Sequence, residues 1–412
     1  MIKELFLQAL GASLRGERVH WEMELTTQDW NELFSLAQAH QVLPMIFEAA
    51  YACPAARCAD PRLMMAVKRQ TMHSVMMQAM KTGEFFALMK HLQAAGLTPC
   101  VVKGIACRSL YPSPDYRMSG DEDVLIPPQQ AERCHEAMLA FGMQMCEPEQ
   151  DRSEAYEVPY GKPGSPLYIE LHKSLFPPDS DAYGDFNRFF EDVHARTVQL
   201  TMDGVTIRTL CPTDHFFYLI CHAFKHFLHS GFGLRQVCDI VLYALRWGAE
   251  IDWAQVKKHC EEIHALGFTL ALLKIGKVHF GFDAEKACLP ADWEIDGIDE
   301  AAMLSDLLDS GVYGDATMSR KHSSTMTLQA VEADKKGKQA RRSVLRTIFP
   351  KLDSMKGRYP YLKKRPYLLP VAWASRILGY VRRRGKQNDN TAESLRIASE
   401  RIELMRKYGV IR

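Results

Sequence analysis

Residues 117–127 read R-M-S-G-D-E-D-V-L-I-P, three carboxylates in a row at the mouth of a short apolar run. On a strand successive side chains alternate faces, so Asp121 and Asp123 look one way and Glu122 the other. Two acids on one face repel each other unless a cation sits between them, and metal binding is the chemistry this spacing offers. The bland alternative is a Ser-Gly-Asp turn entering a strand whose acids are solvated. A further acid, Glu170, stands in L-Y-I-E-L-H-K at the centre of another apolar run. A buried strand does not carry a charge without a reason.

Other residues could meet a phosphate. Gly104 closes the run LTPCVVKG and opens a helix, where backbone N–H groups and the helix dipole favour an anion. Lys103 offers a point charge to a phosphate or to the carboxylates. Arg117, four residues before Asp121, either clamps a triphosphate bidentately or pairs with Glu122. If the face of Glu122 is buried, that acid needs such a partner; at a sheet edge it costs little. His222, Lys225, His226 and His229 share a helical stretch, with the three histidines at spacings of four and three on one face. No Glu follows the first His as in H-E-x-x-H, and Phe224, Phe227 and Phe232 nearby favour packing or a cleft lining over zinc. Gly231-Phe232-Gly233 follows no strand and is no dinucleotide fingerprint, and there is no Walker A motif.

These residues need a scaffold. The chain has 412 residues, 47% apolar and 25% charged, as expected for a soluble globular protein of two or three units. Helical periodicity runs through residues 1–95 and returns from Pro212 onward. Between them lie strand patterns: LTPCVVKG, DEDVLIP, EAYEVPY, SPLYIELHKSL and TVQLTM-DG-VTIRTL, whose Asp203-Gly204 is a hairpin signal. The helix over PQQAERCHEAMLAFGM stops at Gly142. The reading is an α+β fold, a small mixed sheet flanked by N-terminal and C-terminal helical regions. Its divisions are 1–95 (helical), 96–211 (the α/β core), 212–317 (helical) and 318–412 (basic, partly helical), with 318–345 expected as loop or loose helix.

A strand ending in Lys-Gly, a short helix, an Arg, a D-x-D strand and a later acidic strand, in that order, resemble the nucleotidyltransferase superfamily that includes the polymerase-β-like enzymes. The blocks V-K-G at 102–104, Y-P at 111–112, R-M-S-G-D-E-D at 117–123, E-L-H at 170–172 and H-A-F-K-H at 222–226 resemble one branch, the uncharacterised nucleotidyltransferases. The resemblance implies that Asp121, Asp123 and Glu170 hold Mg2+ (or Mn2+). It further implies that a nucleoside triphosphate gives its nucleoside monophosphate to a hydroxyl or phosphate on a small molecule, protein or RNA, the acceptor being open. Glu170 would act as base, and Lys103, Gly104, Arg117, His222, Lys225 and His226 would serve the nucleotide. Three positions depart from the superfamily pattern: Lys-Gly stands for the usual Gly-Ser, Glu170 for Asp, and Glu122 for an apolar residue. The other reading is a catalytically inactive binding module in a biosynthetic or membrane-linked assembly.

Charge divides the chain. Residues 335–412 hold 22 Lys/Arg against 5 Asp/Glu, whereas residues 1–334 hold 29 against 45. A basic tail of this kind meets nucleic acid, an anionic membrane surface, a phosphorylated substrate or the acidic body of its own chain. Tyr359, Tyr361, Tyr367, Trp373 and Tyr380 are stacking candidates for nucleic acid, and residues 368–384 read equally as an amphipathic surface helix. No apolar run is long enough to cross a membrane, the first residues lack a signal-peptide pattern, and eleven cysteines without C-x-x-C pairs point to reduced thiols in the cytoplasm.

Overall fold

In the computed structural model, which describes residues 1–229, 231–310, 318–335, 355, 359–363, 365–375 and 391–412, the chain opens with helices α1 (Ile2–Leu14), α2 (Thr27–Ala39), α3 (Leu43–Ala50), α4 (Pro54–Arg57) and α5 (Pro61–Ala94). Local chemistry fixes their starts. Thr26 and Asp29 form a reciprocal capping box on α2, and Asp60 accepts from the Arg62 N–H ahead of Pro61 at the start of α5. The core follows: β1 (Cys100–Val102), α6 (Gly104–Arg108), β2 (Glu122–Leu125), α7 (Ala131–Ala140), β3 (Gln144–Met145), β4 (Glu157–Gly161), β5 (Tyr168–His172), β6 (Thr197–Met202) and β7 (Val205–Leu210). Asp203 and Gly204 both take positive φ, 49° and 71°, and close the β6–β7 hairpin as their sequence predicts.

The strands form one mixed sheet in the order β3-β4-β5-β2-β1-β7-β6, so the fold is α+β with helices flanking a seven-stranded sheet. Register matters more than order here. β2 and β5 run parallel with Asp123 opposite Glu170 and Leu125 opposite His172. β4 is antiparallel to β5 with Glu157 opposite His172, and Val102 of β1 lies opposite Asp123. Asp123, Glu157, Glu170 and His172 therefore share one face at the centre of the sheet.

The opposite face is the apolar one. Val101, Val124, Ile169 and Leu171 join Phe85, Leu88, Met89 and Leu92 of α5 and Cys134 and Met138 of α7 in one buried core. Each such side chain contributes about 1.5–3 kcal/mol by leaving water, and together they anchor the strands that carry the acids. Across the acidic face run α8 (Pro212–Leu228) and α9 (Leu234–Trp247), followed by α10 (Trp253–Glu262), α11 (Leu266–Ile275) and α12 (Ala301–Ser310). All eleven cysteines are free, and the seven buried ones pack as small hydrophobes.

The described residues fall into two compact units, one of residues 1–226 and 231–310, the other of residues 227–229 and the described parts of 318–412. In the second, α13 (Met318–Lys335) and α14 (Thr391–Lys407) pack together, and Met355, Leu362 and Ala372 form a small cluster. The stretch from 318, expected as loop or loose helix, is a regular helix to Lys335. Met326, Ala330 and Val331 supply the buried stripe that its polar composition concealed. Tyr380 and residues 376–390 lie outside the described residues, as do residues 336–345. Among the described residues no helix is long and apolar enough to cross a membrane.

Candidate functional site

The acidic face brings Asp123, Glu170 and His172 together, with one ligand atom from each lying within 4.8 Å of the other two. His172 Nε2 is 3.0 Å from Asp123 Oδ1 and 3.7 Å from Glu170 Oε2, while its Nδ1 is 3.6 Å from Glu157 Oε2. Asp121, just ahead of β2, stands beside them with its side chain 32% exposed. Lys103 Nζ holds the pair, 2.8 Å from Asp123 Oδ2 and 3.6 Å from Asp121 Oδ2. The Lys103 ammonium, with help from Arg235 and Lys81, keeps the Asp121 carboxyl well below the ordinary carboxylate range against the opposing effect of burial.

The residues fit a divalent ion. Asp123 is 2% exposed, and its Oδ2 has the Lys103 ammonium at 2.8 Å as its ion-pair partner and no other hydrogen bond. The Nδ1 of buried His172 is without a hydrogen-bond partner. Carboxylate oxygens with one imidazole make a donor set for a divalent metal ion, and a carboxylate behind the far ring nitrogen, here Glu157, is the usual support of a metal-bound histidine. His172 was not singled out by the sequence reading. The signal was present in E-L-H: two residues on from Glu170 along a strand is the same face.

Lys103 owes its position to its backbone. It adopts φ 47° and ψ −135°, rare for a residue with a side chain, and its N–H donates to His215 Nε2 at 3.1 Å. The hydrogen-bond chain runs one way. Thr209 Oγ1 donates to Val101 O at 2.7 Å, so it accepts from His215 Nδ1–H at 3.2 Å, and His215 must be neutral to accept from Lys103. Complete burial pushes the His215 pKa down to about 3. Below its ordinary value of 6.5 an unfolded chain takes up a proton that the folded chain refuses, so this contribution to stability is complete above pH 6.5 and falls away toward pH 3. Between pH 7.5 and pH 5 it should cost the fold about 2 kcal/mol. Urea unfolding of wild type and His215→Gln at both pH values measures it. The variant should lose correspondingly less, and equal losses would refute the assignment.

Glu122 departs from the expected arrangement. It is fully buried on the opposite side of β2 from Asp123, and its partner is Arg108, not Arg117. Arg108 Nη2 donates to Oε1 at 2.7 Å, Ser119 Oγ at 2.7 Å, and Lys81 Nζ lies 3.4 Å away. Burial alone would raise the Glu122 pKa, but Arg108, Lys81 and Ser119 together hold it at about 2. Glu122 Oε2 accepts from the Ile105 N–H at 2.8 Å. That amide was the donor expected to greet a phosphate above Gly104, so the start of α6 already holds the chain's own carboxylate. Gly104, at φ 42°, is required there because a Cβ would come within 2.0 Å of Glu122 Oε2.

Arg117 is likewise committed. Its Nε and Nη2 reach Asp239 Oδ1 and Oδ2 at 2.9 and 2.6 Å, and Tyr111 donates to the same carboxylate at 2.7 Å. Its Nη1 remains buried without a hydrogen-bond partner. Lys103, Arg117, Asp121, His222, Arg235 and Asp239 line one pocket. His222 Nε2 stands 3.1 Å from Lys103 Nζ and 3.2 Å from His226 Nε2, and burial together with Lys103 keeps His222 neutral. Lys225 is partly buried; burial and Lys103 lower its pKa while Glu157, Glu170 and Asp121 act the other way, so it stands in the field of the acids.

A family model described as uncharacterised nucleotidyltransferase matches residues 26–281, more than half of the chain. The chain belongs to this family. Its matched span runs from α2 past α11 and includes the whole sheet and every acid of the site, whereas the basic tail lies outside it. No curated protein matches the chain. The uncharacterised nucleotidyltransferase family thus meets, in this chain, a sheet face on which Asp123, Glu170 and His172 converge beside Lys103.

Proposed function

We propose that the chain is a metal-dependent nucleotidyltransferase that moves a nucleoside monophosphate from a triphosphate to a hydroxyl or phosphate acceptor. The convergence of Asp123, Glu170 and His172 inside the family match carries this reading. Asp123, Glu170, His172 and Asp121 would hold a divalent ion such as Mg2+ or Mn2+, which when bound would supply charge neutralisation at the phosphates. The acceptor oxygen forms its bond to the α-phosphorus as the bond to the β-phosphate oxygen breaks, and pyrophosphate leaves with that electron pair. Glu170, 27% exposed on the open side of the group, takes the acceptor proton. Lys103, Lys225 and Arg235 supply positive charge to the triphosphate. Arg117 Nη1 is the donor that its pairing with Asp239 leaves for a phosphate, neutral His222 accepts from Lys103 Nζ, and His226 stands behind it with its Nε2 3.2 Å from His222 Nε2. Gly104 acts through geometry, admitting Glu122 beneath the turn that presents Lys103.

Calorimetric titration of each of the four triphosphates, with and without Mg2+, into wild type and Asp121→Ala/Asp123→Ala tests the reading. Mg2+-dependent binding lost in the variant supports it and identifies the donor base. Absence of binding to all four would overturn it in favour of a non-catalytic module that keeps the fold. The tail, with Tyr361 and Tyr367 exposed, would serve an anionic partner such as nucleic acid or a membrane surface.

A further inference from the structure

Lys103 is the residue whose placement the proposed chemistry explains least. It is a long cation set directly against two of the carboxylates that an ion would use. Its Nζ lies 2.8 Å from Asp123 Oδ2 and 3.6 Å from Asp121 Oδ2, and its other neighbour is a neutral imidazole, His222 Nε2 at 3.1 Å. The nearby cations are engaged elsewhere: Lys81 and Arg108 on Glu122, Arg117 on Asp239. Arg235, Lys81 and Lys225 act on the acids from farther off, and among the described lysines and arginines Lys103 is the one within ion-pair distance of Asp121 and Asp123.

The contact is also an exchangeable one. Asp123 Oδ2 is buried and has Lys103 Nζ at 2.8 Å, with no other hydrogen bond to that oxygen to be broken, so a divalent ion there would replace one cation by another. The backbone beneath it stores strain. A side-chain-bearing residue at φ 47° costs on the order of 1–3 kcal/mol, and the structure maintains it with the Val101–Thr209–His215 chain and with Glu122 packed under Gly104. Strain sustained by that much surrounding structure points to a position the site needs.

We propose that Lys103 is a tethered cation that competes with the divalent ion for Asp121 and Asp123, so that the ion binds tightly only when a triphosphate draws Lys103 off the carboxylates. Ion and triphosphate then enter as a coupled pair. The competition itself rests only on the carboxylates and Lys103; the coupling rests on the nucleotidyltransferase reading. Reciprocity follows: whatever factor the triphosphate adds to ion affinity, the ion adds to triphosphate affinity. A site without nucleotide keeps its acids neutralised and leaves the ion outside.

Electron paramagnetic resonance titration of the full chain with Mn2+ alone tests the competition. Lys103→Met should bind Mn2+ at least about 10-fold tighter than wild type, and Lys103→Arg, which keeps the charge, should bind as weakly as wild type. Adding Asp123→Ala to the methionine variant should abolish the gain. Thermal unfolding gives an independent reading: Lys103→Met should melt lower than wild type without metal and recover with Mn2+, while wild type should gain little. Should the methionine variant fail to fold, Lys103→Gln, which keeps a donor for His222, takes its place. Mn2+ affinity unchanged or weakened in the neutral variants, or a gain that survives Asp123→Ala, would overturn the proposal. The second arm uses a preformed Mn2+–inorganic triphosphate complex. Wild type should bind it at least about 10-fold tighter than Mn2+ alone, and Lys103→Met should show a smaller ratio. If Mn2+ alone tightens in the variant but neither protein binds the complex, the competition stands and the nucleotidyltransferase reading falls.

Discussion

Replacing Glu122 with Ala should destabilise the fold by about 3–5 kcal/mol. The carboxylate is the only acid among the described residues within ion-pair distance of Arg108 and of Lys81, both buried, and its removal leaves two charges in the interior without an anion. It also strips the Ile105 N–H of its acceptor and removes a bond from Ser119. Desolvated charges cannot simply turn outward here, because Lys81 lies in the middle of α5 and Arg108 ends α6 beneath the sheet. A large part of the effect is the penalty of the orphaned cations, which gives a sharp check: Glu122→Leu combined with Arg108→Leu should cost less than Glu122→Ala alone. Denaturant unfolding of the three proteins measures this, and a single-variant loss below about 1 kcal/mol would show that the network is not the anchor of the turn. The same network sets acid behaviour. Glu122 is held at about 2 against an ordinary 4.5, so its contribution is complete above pH 4.5 and disappears as pH falls toward 2.

The contrast between Glu122 and its neighbours shows what a sequence can reveal. Alternation along one strand is local, so Asp121 and Asp123 on one face and Glu122 on the other were legible from D-E-D itself. The same holds for the Asp203-Gly204 hairpin and the stop at Gly142, where two or three residues carry the whole instruction. Partners are a different matter. Arg117 meets Asp239 at a separation of 122 residues, and Lys81 reaches Ser119 beside Glu122 from the middle of a 34-residue helix. No local pattern names such a partner, because pairing is decided by how α5, α6 and α9 pack against the sheet. Arg117 and Glu122, five residues apart, seemed natural partners for this reason, yet the turn between them sends one toward α9 and the other toward α6. His172 belongs to a third kind. Its strand periodicity placed it with Glu170, but its value emerges only from the parallel register that lays β5 beside β2.

Asp123→Asn should leave the fold intact and lower nucleotidyl transfer by on the order of 10³-fold, equivalent to several kcal/mol of lost charge stabilisation at the phosphates. The substitution keeps shape and volume, and the amide can still meet His172 Nε2, now 3.0 Å from Oδ1. What it loses is the charge at the centre of the acidic face, opposite Glu170 in the register. The lost pair with Lys103 is offset because Lys103 keeps Asp121 at 3.6 Å as its counter-charge, so the thermal midpoint should stay within a few degrees of wild type. His172→Gln should be milder, about 10–100-fold, since it removes an imidazole ligand while the three carboxylates remain. Metal-dependent triphosphate binding by calorimetry, read beside pyrophosphate release, checks both. Normal triphosphate binding and turnover in Asp123→Asn would remove the acid from the site. The opposite fates of adjacent residues then form one test: Glu122 should fail in stability, Asp123 in binding, because the strand turns them to opposite faces.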